Sequence, residues 1–270
     1  MTARFLCIGT HHKTGTVWMR RTFHKFATDA GIPVIPARRD RVIEELPERG
    51  PALLVNWASR FPMSILRHPE ARFLHLIRDP RDVLLSGQRF HLTAPLGNEK
   101  WLGLPREALG GKSYQDHIAG LPTRIEQLLF EMGGKHDETL MEMLTWPYGH
   151  PHAIDLRYED MIADTDCALF RGAMDRLGVA GFETEAVTRY YWQHSLFGGL
   201  ADPDNVKSNV KAHVKSGKSR QWESQMPREV AEVYARRYGA ALKVLGYAED
   251  DSWVALTRPQ AEIDRSSEAS

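Results

Sequence analysis

A run of small polar residues, Gly9-Thr10-His11-His12-Lys13-Thr14-Gly15-Thr16, follows the first apolar stretch and precedes Val17-Trp18-Met19. A tight turn between a strand and a helix gathers backbone N–H groups and the positive end of the helix dipole at one point, a setting that binds phosphate. Lys13 adds a mobile positive charge, Thr14 and Thr16 add hydroxyls, and Gly15 allows close approach of a ligand. The bland reading is a Thr-capped helix start with Lys13 in solvent. The nucleotide-hydrolase loop G-x-x-x-x-G-K-[ST] sets its Lys directly after the second Gly, whereas Lys13 precedes Gly15. The other triplet, Gly217-Lys218-Ser219, has Ala212 where that loop needs Gly and follows no strand. Both points argue against ATP or GTP hydrolysis.

A second anion-binding set is spaced along Arg78-Asp79-Pro80-Arg81-Asp82-Val83-Leu84-Leu85-Ser86. An Arg leaving a strand and a Ser about two helical turns later can face one anion, Arg with paired donors and Ser with a hydroxyl. An Arg–Asp ion pair with a helix cap is the structural alternative.

Together with two later segments, these motifs resemble the cytosolic-type and bacterial sulfotransferases. Lys13-Thr14-Gly15-Thr16-Val17-Trp18 is similar to their 5′-phosphosulfate loop, P-K-x-G-T-T-W, with His12 at the Pro and Val17 at the second Thr. Arg78 and Ser86 resemble the pair that holds the 3′-phosphate. Leu156-Arg157-Tyr158-Glu159-Asp160 resembles a Y-E-D segment, in which Tyr158 would meet the adenine. Lys215-Ser216-Gly217-Lys218-Ser219-Arg220-Gln221-Trp222 resembles R-K-G-x-x-G-D-W, with Ser216, Arg220 and Gln221 departing from it. Ser195 and Phe197 resemble adenine-pocket residues. The resemblance spans residues 4–247, with 93–150 unmatched. It implies a P-loop NTPase-like three-layer α/β fold with a central, mostly parallel sheet. It also implies transfer of the sulfuryl group of 3′-phosphoadenosine 5′-phosphosulfate (PAPS) to a hydroxyl, with adenosine 3′,5′-bisphosphate (PAP) as product. Lys13 would meet the bridging oxygen, where charge develops, and Trp18 would pack on the adenine.

The base that takes the acceptor proton is the gap. Where many relatives carry K-T-H, this chain has Val55-Asn56-Trp57. Glu44, Glu45, His11, His12, His68 and His91 remain open for the role. A small-molecule P-loop kinase and a catalytically silent nucleotide-binding relative stand as alternatives.

Elements that position these residues are legible. Residues 5–8 read as a buried strand, and Val17, Trp18, Met19, Phe23 and Phe26 mark an amphipathic helix. Further strands are expected at 52–55, 73–77 and 153–158. Helices are expected after Pro80 with Asp79 as N-cap, at 122–132, at 163–177 and at 229–245. Strands alternating with helices predict βαβ units. A single domain over 1–256 is expected, with 93–150 as a substrate-side insertion, 198–221 as a mobile cofactor-closing loop and 257–270 as a flexible tail. Trp101, Tyr114, Trp146 and Tyr148 in the insertion suit a sugar, phenol or lipid acceptor, or plain packing. The helix near 121–132 suits a core or a homodimer contact.

Composition bounds the rest. The 270 residues balance 35 Lys+Arg against 35 Asp+Glu, with 42% apolar content. Such neutrality argues against a nucleic-acid-coating protein. Cys7 and Cys167 cannot build a disulfide framework, which points to a cytoplasmic setting. No membrane span is expected, and His150-Pro151-His152 lacks zinc-site spacing.

Overall fold

The computed structural model describes residues 3–97, 99–200 and 219–268. The expected basic loop residues Lys215, Ser216 and Gly217 lie outside the described residues. The chain divides into two compact units, Met1–Arg78 with Thr145–Gly217 and Asp79–Leu144 with Lys218–Ser270.

The first unit holds the sheet. Strands β1 (Phe5–Gly9), β2 (Val34–Pro36), β3 (Ala52–Asn56), β4 (Ala71–Ile77) and β5 (Ala153–Arg157) pair in the order β2-β3-β1-β4-β5. Every pairing is parallel, so the chain must cross over between strands, as the alternating pattern predicts. Its first helices are α1 (Thr16–Asp29) and α2 (Met63–Leu66). Successive side chains of each strand point to opposite faces. Leu6, Ile8, Leu53, Val55, Leu74 and Leu76 pack with Met19, Phe23 and Phe26 of α1. Phe5, Cys7, Leu54 and Phe73 face the other way, against Ile35, Phe61, Ile65 and Trp146. Strands buried on both faces read as continuous apolar runs, which is why they were legible. The short edge strand β2 carried no such run and was not anticipated.

The second unit opens with α3 (Pro80–Thr93), followed by α4 (Tyr114–Ala119), α5 (Arg124–Gly133) and α6 (Lys135–Thr145). Asp79 caps α3 as expected, its Oδ1 accepting from the Arg81 N–H at 2.9 Å, with Pro80 at the first position. A Thr123/Glu126 capping box starts α5.

In the first unit, the helix expected over 163–177 starts later, as α8 (Ala168–Leu177), and a separate short helix, α7 (Tyr158–Ala163), precedes it. The break has a local cause: the Asp164 carboxylate accepts from the N–H groups of Leu169 and Phe170, at 2.9 and 3.0 Å, and so caps α8. Helix α9 (Thr184–Gln193) follows, and its Tyr191 stacks on Phe170 of α8 at 3.9 Å. The second unit closes with α10 (Trp222–Gln225), α11 (Arg228–Val244) and α12 (Gln260–Glu268). Helix α12 falls where a flexible tail was expected. It starts directly after Pro259 and buries Ile263.

Candidate functional site

The turn between β1 and α1 is held by its own hydroxyls. Thr14 and Thr16 both donate to the His11 carbonyl, at 3.0 and 2.8 Å, and Thr10 and Thr16 share a 2.8 Å hydrogen bond. The Thr14 hydroxyl also accepts from the His11 N–H at 2.9 Å. These bonds fold the chain tightly enough to put Lys13 at φ 66° and Gly15 at φ 104°. Gly15 is the N-cap of α1, which has no side-chain cap and no acidic residue in its first turn. Among the described residues nothing accepts from the N–H groups of Thr16, Val17 and Trp18. The turn therefore spends its threonine hydroxyls on itself and keeps its backbone donors at a helix N-terminus, an anion-seeking arrangement.

Residues from two later motifs come to this turn. Arg78, at the end of β4 and 6% exposed, donates from Nη1 to the Lys13 carbonyl at 3.2 Å. Its guanidinium lies over the Tyr158 ring, 4.4 Å from the centroid. A Cβ added at Gly15 would meet Tyr158 Cδ2 at 3.3 Å, so the glycine permits the ring's close approach. Three of the four motifs thus converge in the first unit. Trp18 is buried beside them, donating from Nε1 to the Tyr191 carbonyl at 3.0 Å and stacking on that ring at 4.4 Å. Phe197 meets Trp18 edge-on at 5.8 Å. Ser195 is fully buried, with its hydroxyl on the Trp192 carbonyl at 2.8 Å.

Ser86 sits half-buried on α3 and belongs to the second unit. In that unit Asp79, Arg81 and Asp82 do structural work. Arg81 grips Asp79 through two hydrogen bonds of 2.9 and 2.7 Å, while its guanidinium lies 3.8 Å from the Trp222 ring centroid. Asp82 accepts from the Trp222 N–H at 3.0 Å. Trp101 and Tyr114 line a cleft of about 510 Å³ with Arg106, Lys135 and Glu138. Trp146, grouped with them in the sequence reading, packs instead against Phe61 and Phe73 on the sheet.

The open base candidates separate on position. Glu44 and Glu45 are exposed on a 3₁₀ turn, Asp40–Glu45. His68 is half-buried, its Nδ1 accepting from the Glu70 N–H at 3.2 Å; burial pushes its pKa down. His91 is buried in the second unit against Glu131, at 2.7 Å. Asn56, in the stretch that the sequence resemblance aligns with K-T-H, is consumed in shaping the turn after β3. Its Nδ2 donates to the carbonyls of Ala37 and Arg60, both at 2.7 Å, and its Oδ1 accepts from the Ala58 N–H at 3.1 Å. His12 is half-buried in the turn itself.

His11 has a different setting, formed with two residues that the sequence reading missed. Its Nε2 lies 2.9 Å from Nε2 of His75 on β4, and His75 Nδ1 lies 2.8 Å from Asp155 Oδ1 on β5. Trp146 stacks on His75 at 4.1 Å and donates from Nε1 to the same Asp155 oxygen at 2.7 Å. His11 and His75 are fully buried, while the Asp155 side chain is 30% exposed. Desolvation pulls the His75 pKa down to about 4, against the raising effect of its bond to Asp155. Among the described residues no group of three or more His, Cys, Asp or Glu could hold a metal. Nor is any helix among them long and apolar enough to cross a membrane.

No protein-family profile and no curated protein matches this chain. Solved structures do. The mouse sulfotransferase SULT7A1, complexed with PAP, aligns over 100% of this chain and 89% of its own, with a TM-score of 0.58 at 12% identity. Retinol dehydratase, in complex with androsterone and inactive cofactor PAP, covers 90% of this chain and 82% of its own, with a TM-score of 0.53 at 14% identity. The chain therefore has the sulfotransferase fold, an α/β fold of the P-loop kind with an all-parallel five-stranded sheet flanked by helices.

Proposed function

We propose that this protein is a sulfotransferase that uses PAPS to sulfate a hydroxyl of a small-molecule, sugar or lipid acceptor. The observation that carries the reading is the meeting of three separated motifs at one turn. Arg78 bonds the Lys13 carbonyl and covers the Tyr158 ring, and that ring lies against Gly15. The donor set suits a phosphorylated nucleotide: two cations, an uncapped helix N-terminus, and no acidic residue in the first turn of α1. PAP in both structural neighbours supports the same choice.

In this reading the N–H groups of Thr16, Val17 and Trp18 hold the 5′-phosphate, and Lys13 stands beside it. Arg78 supplies charge for the 3′-phosphate, with Tyr158, Trp18, Ser195 and Phe197 around the adenine. When bound, PAPS supplies an activated sulfuryl group whose transfer builds negative charge on the departing phosphate. Lys13 is the side chain placed to offset that charge.

Calorimetry with PAP, AMP and ATP tests the reading directly. Binding of PAP at least about tenfold tighter than AMP, a difference of about 1.4 kcal/mol, is expected, and ATP should not outcompete it. Arg78→Ala should reduce PAP affinity more than AMP affinity. Lys13→Ala should abolish sulfuryl transfer. A preference for ATP, or equal losses for PAP and AMP in Arg78→Ala, would overturn the assignment.

A further inference from the structure

We propose that the cleft in the second unit binds a small organic anion, a ring-sized body carrying one singly charged oxyanion head such as a carboxylate or a sulfate monoester. Arg106 grips the head, while Trp101 and Tyr114 pack on the body. The site is formed by residues of that unit alone and does not depend on the sulfotransferase reading.

The cleft has the size and the fixed walls of a ligand site. Its volume of about 510 Å³ falls in the usual range for small molecules, roughly 300–1,000 Å³. Arg106 projects from a closed loop. Its N–H donates to the Lys112 carbonyl at 3.1 Å, its carbonyl accepts from the Gly111 N–H at 3.0 Å, and Pro105 bridges to Ser113. The Arg106 guanidinium lies 5.3 Å from the Trp101 ring centroid and 5.1 Å from that of Tyr114. Those two rings meet edge-on at 5.2 Å, and Tyr114 packs on Phe130 at 4.8 Å. Gly134 lets the wall close up, since a Cβ there would meet the Tyr114 hydroxyl oxygen at 2.6 Å.

The polar groups of the lining choose the ligand class. The Tyr114 hydroxyl donates to the buried Glu131 at 2.8 Å and accepts from the Lys135 N–H at 3.2 Å. The Trp101 indole N–H is committed to Glu99. Both rings therefore offer the cleft carbon surface rather than donors. Lys135 Nζ holds Glu138 Oε2 at 2.9 Å, so those two charges offset each other. Arg106 differs from all of these. Among the described residues its guanidinium has ring faces beside it and no hydrogen-bond acceptor or ion-pair partner. A guanidinium lying over a ring keeps its in-plane N–H groups for a second partner, and their fork matches two oxygens of one oxyanion. One cation without an acceptor calls for one negative charge. The aromatic walls call for a flat or apolar body beside it.

Calorimetry on the full chain at neutral pH, without nucleotide, tests this with 2-naphthoate, 2-naphthyl sulfate and the uncharged 2-naphthalenemethanol. The wild type should bind both anions at least about tenfold more tightly than the alcohol, and the tighter anion names the head group. Arg106→Gln should erase that preference, lowering anion affinity at least about tenfold while alcohol affinity changes less than about twofold. Arg106→Lys keeps the charge and loses the fork, so it serves where the Gln variant folds poorly. It should weaken the anions by about threefold or more and leave the alcohol unchanged. Trp101→Leu should weaken all three compounds by a similar factor. Three results would overturn the proposal: no binding by the wild type up to millimolar concentrations, no preference for the anions, or an anion affinity that survives in Arg106→Gln. Equal losses for anions and alcohol in the Arg106 variants would do the same.

Discussion

Acidification should destabilise each unit through one buried histidine. His75 in the first unit and His136 in the second have their pKa values pushed down from 6.5, to about 4 and about 3, with desolvation as the largest cause in both. His136 makes a 2.9 Å bond from Nε2 to the Tyr234 hydroxyl, and its buried Nδ1 has no partner among the described residues. A proton added there would leave a charged N–H facing no acceptor. Because the folded pKa values lie below the unfolded one, the unfolded chain binds more protons once the pH falls below about 6.5. Stability is therefore complete above that pH and declines below it, down to the folded pKa. Each histidine contributes a slope of about 1.4 kcal/mol per pH unit, so about 3 kcal/mol is lost per site by pH ~4.5. Two such losses are comparable with the whole stability of an ordinary domain, roughly 5–15 kcal/mol. Urea unfolding by tryptophan fluorescence, repeated from pH ~7.5 to ~4.5, measures the slope. His136→Gln keeps an amide for the Tyr234 hydroxyl but cannot titrate, so its slope should be shallower by about 1.4 kcal/mol per pH unit. Identical slopes for variant and wild type would refute the reasoning.

Two further substitutions test the scaffold of the site. Gly15→Ala forces an L residue to φ 104° and sets a methyl 3.3 Å from Tyr158 Cδ2, at a backbone cost of about 1–2 kcal/mol. It should lower Tm by a few degrees and weaken PAP binding at least about tenfold; unchanged calorimetric affinity would contradict the placement of the ligand at this turn. Asn56→Ala removes two donors and one acceptor from the turn after β3, and should cost about 2–3 kcal/mol in denaturant unfolding. Asn56→Asp should be no better, because it turns an acceptor toward the Ala37 and Arg60 carbonyls. Recovery of stability in the Asp variant would refute that account.

The legibility of this chain follows from what each signal depends on. Strands β1, β3 and β4 were readable because a parallel sheet buried on both faces needs apolar runs, and 5–8, 52–55 and, interrupted only by His75, 73–77 are such runs, whereas β5 is a partly exposed edge strand. The turn at Lys13 was readable because its Gly and Thr residues lie within a few positions of one another. Arg78 was readable from its spacing to Ser86 and Tyr158 only through resemblance, since nothing local in either segment reveals that they meet at Gly15. The later start of α8 was missed because Asp164, a carboxylate that caps that helix, looks in sequence like one more polar helix residue. His75 was missed for a related reason. Within Phe73-Leu74-His75-Leu76-Ile77 it reads as a strand residue, and its partner Asp155 lies 80 positions away.

The register explains why those two residues belong together. His75 pairs with Gly9 on one side and Asp155 on the other, and Phe73 pairs with Ala153 two residues earlier. With a period of two, Phe73 and His75 face the same side of the sheet, as do Ala153 and Asp155. The polar pair therefore extends a packed row that begins with Phe73 against Phe61 and Trp146. Trp146 belongs to both halves of the row: its ring packs on Phe73 and stacks on His75, and its N–H holds Asp155. The same indole thus fixes the imidazole plane and the carboxylate that sets its tautomer. Trp146→Phe would keep the stacking and lose the N–H. That variant should retain most of its stability, because the packing on Phe73 and His75 survives. Asp155 would then be freer to turn from His75, and the NMR tautomer populations of His75 should become mixed. Unchanged populations would mean that the strand register alone orients Asp155, and that the indole serves packing only.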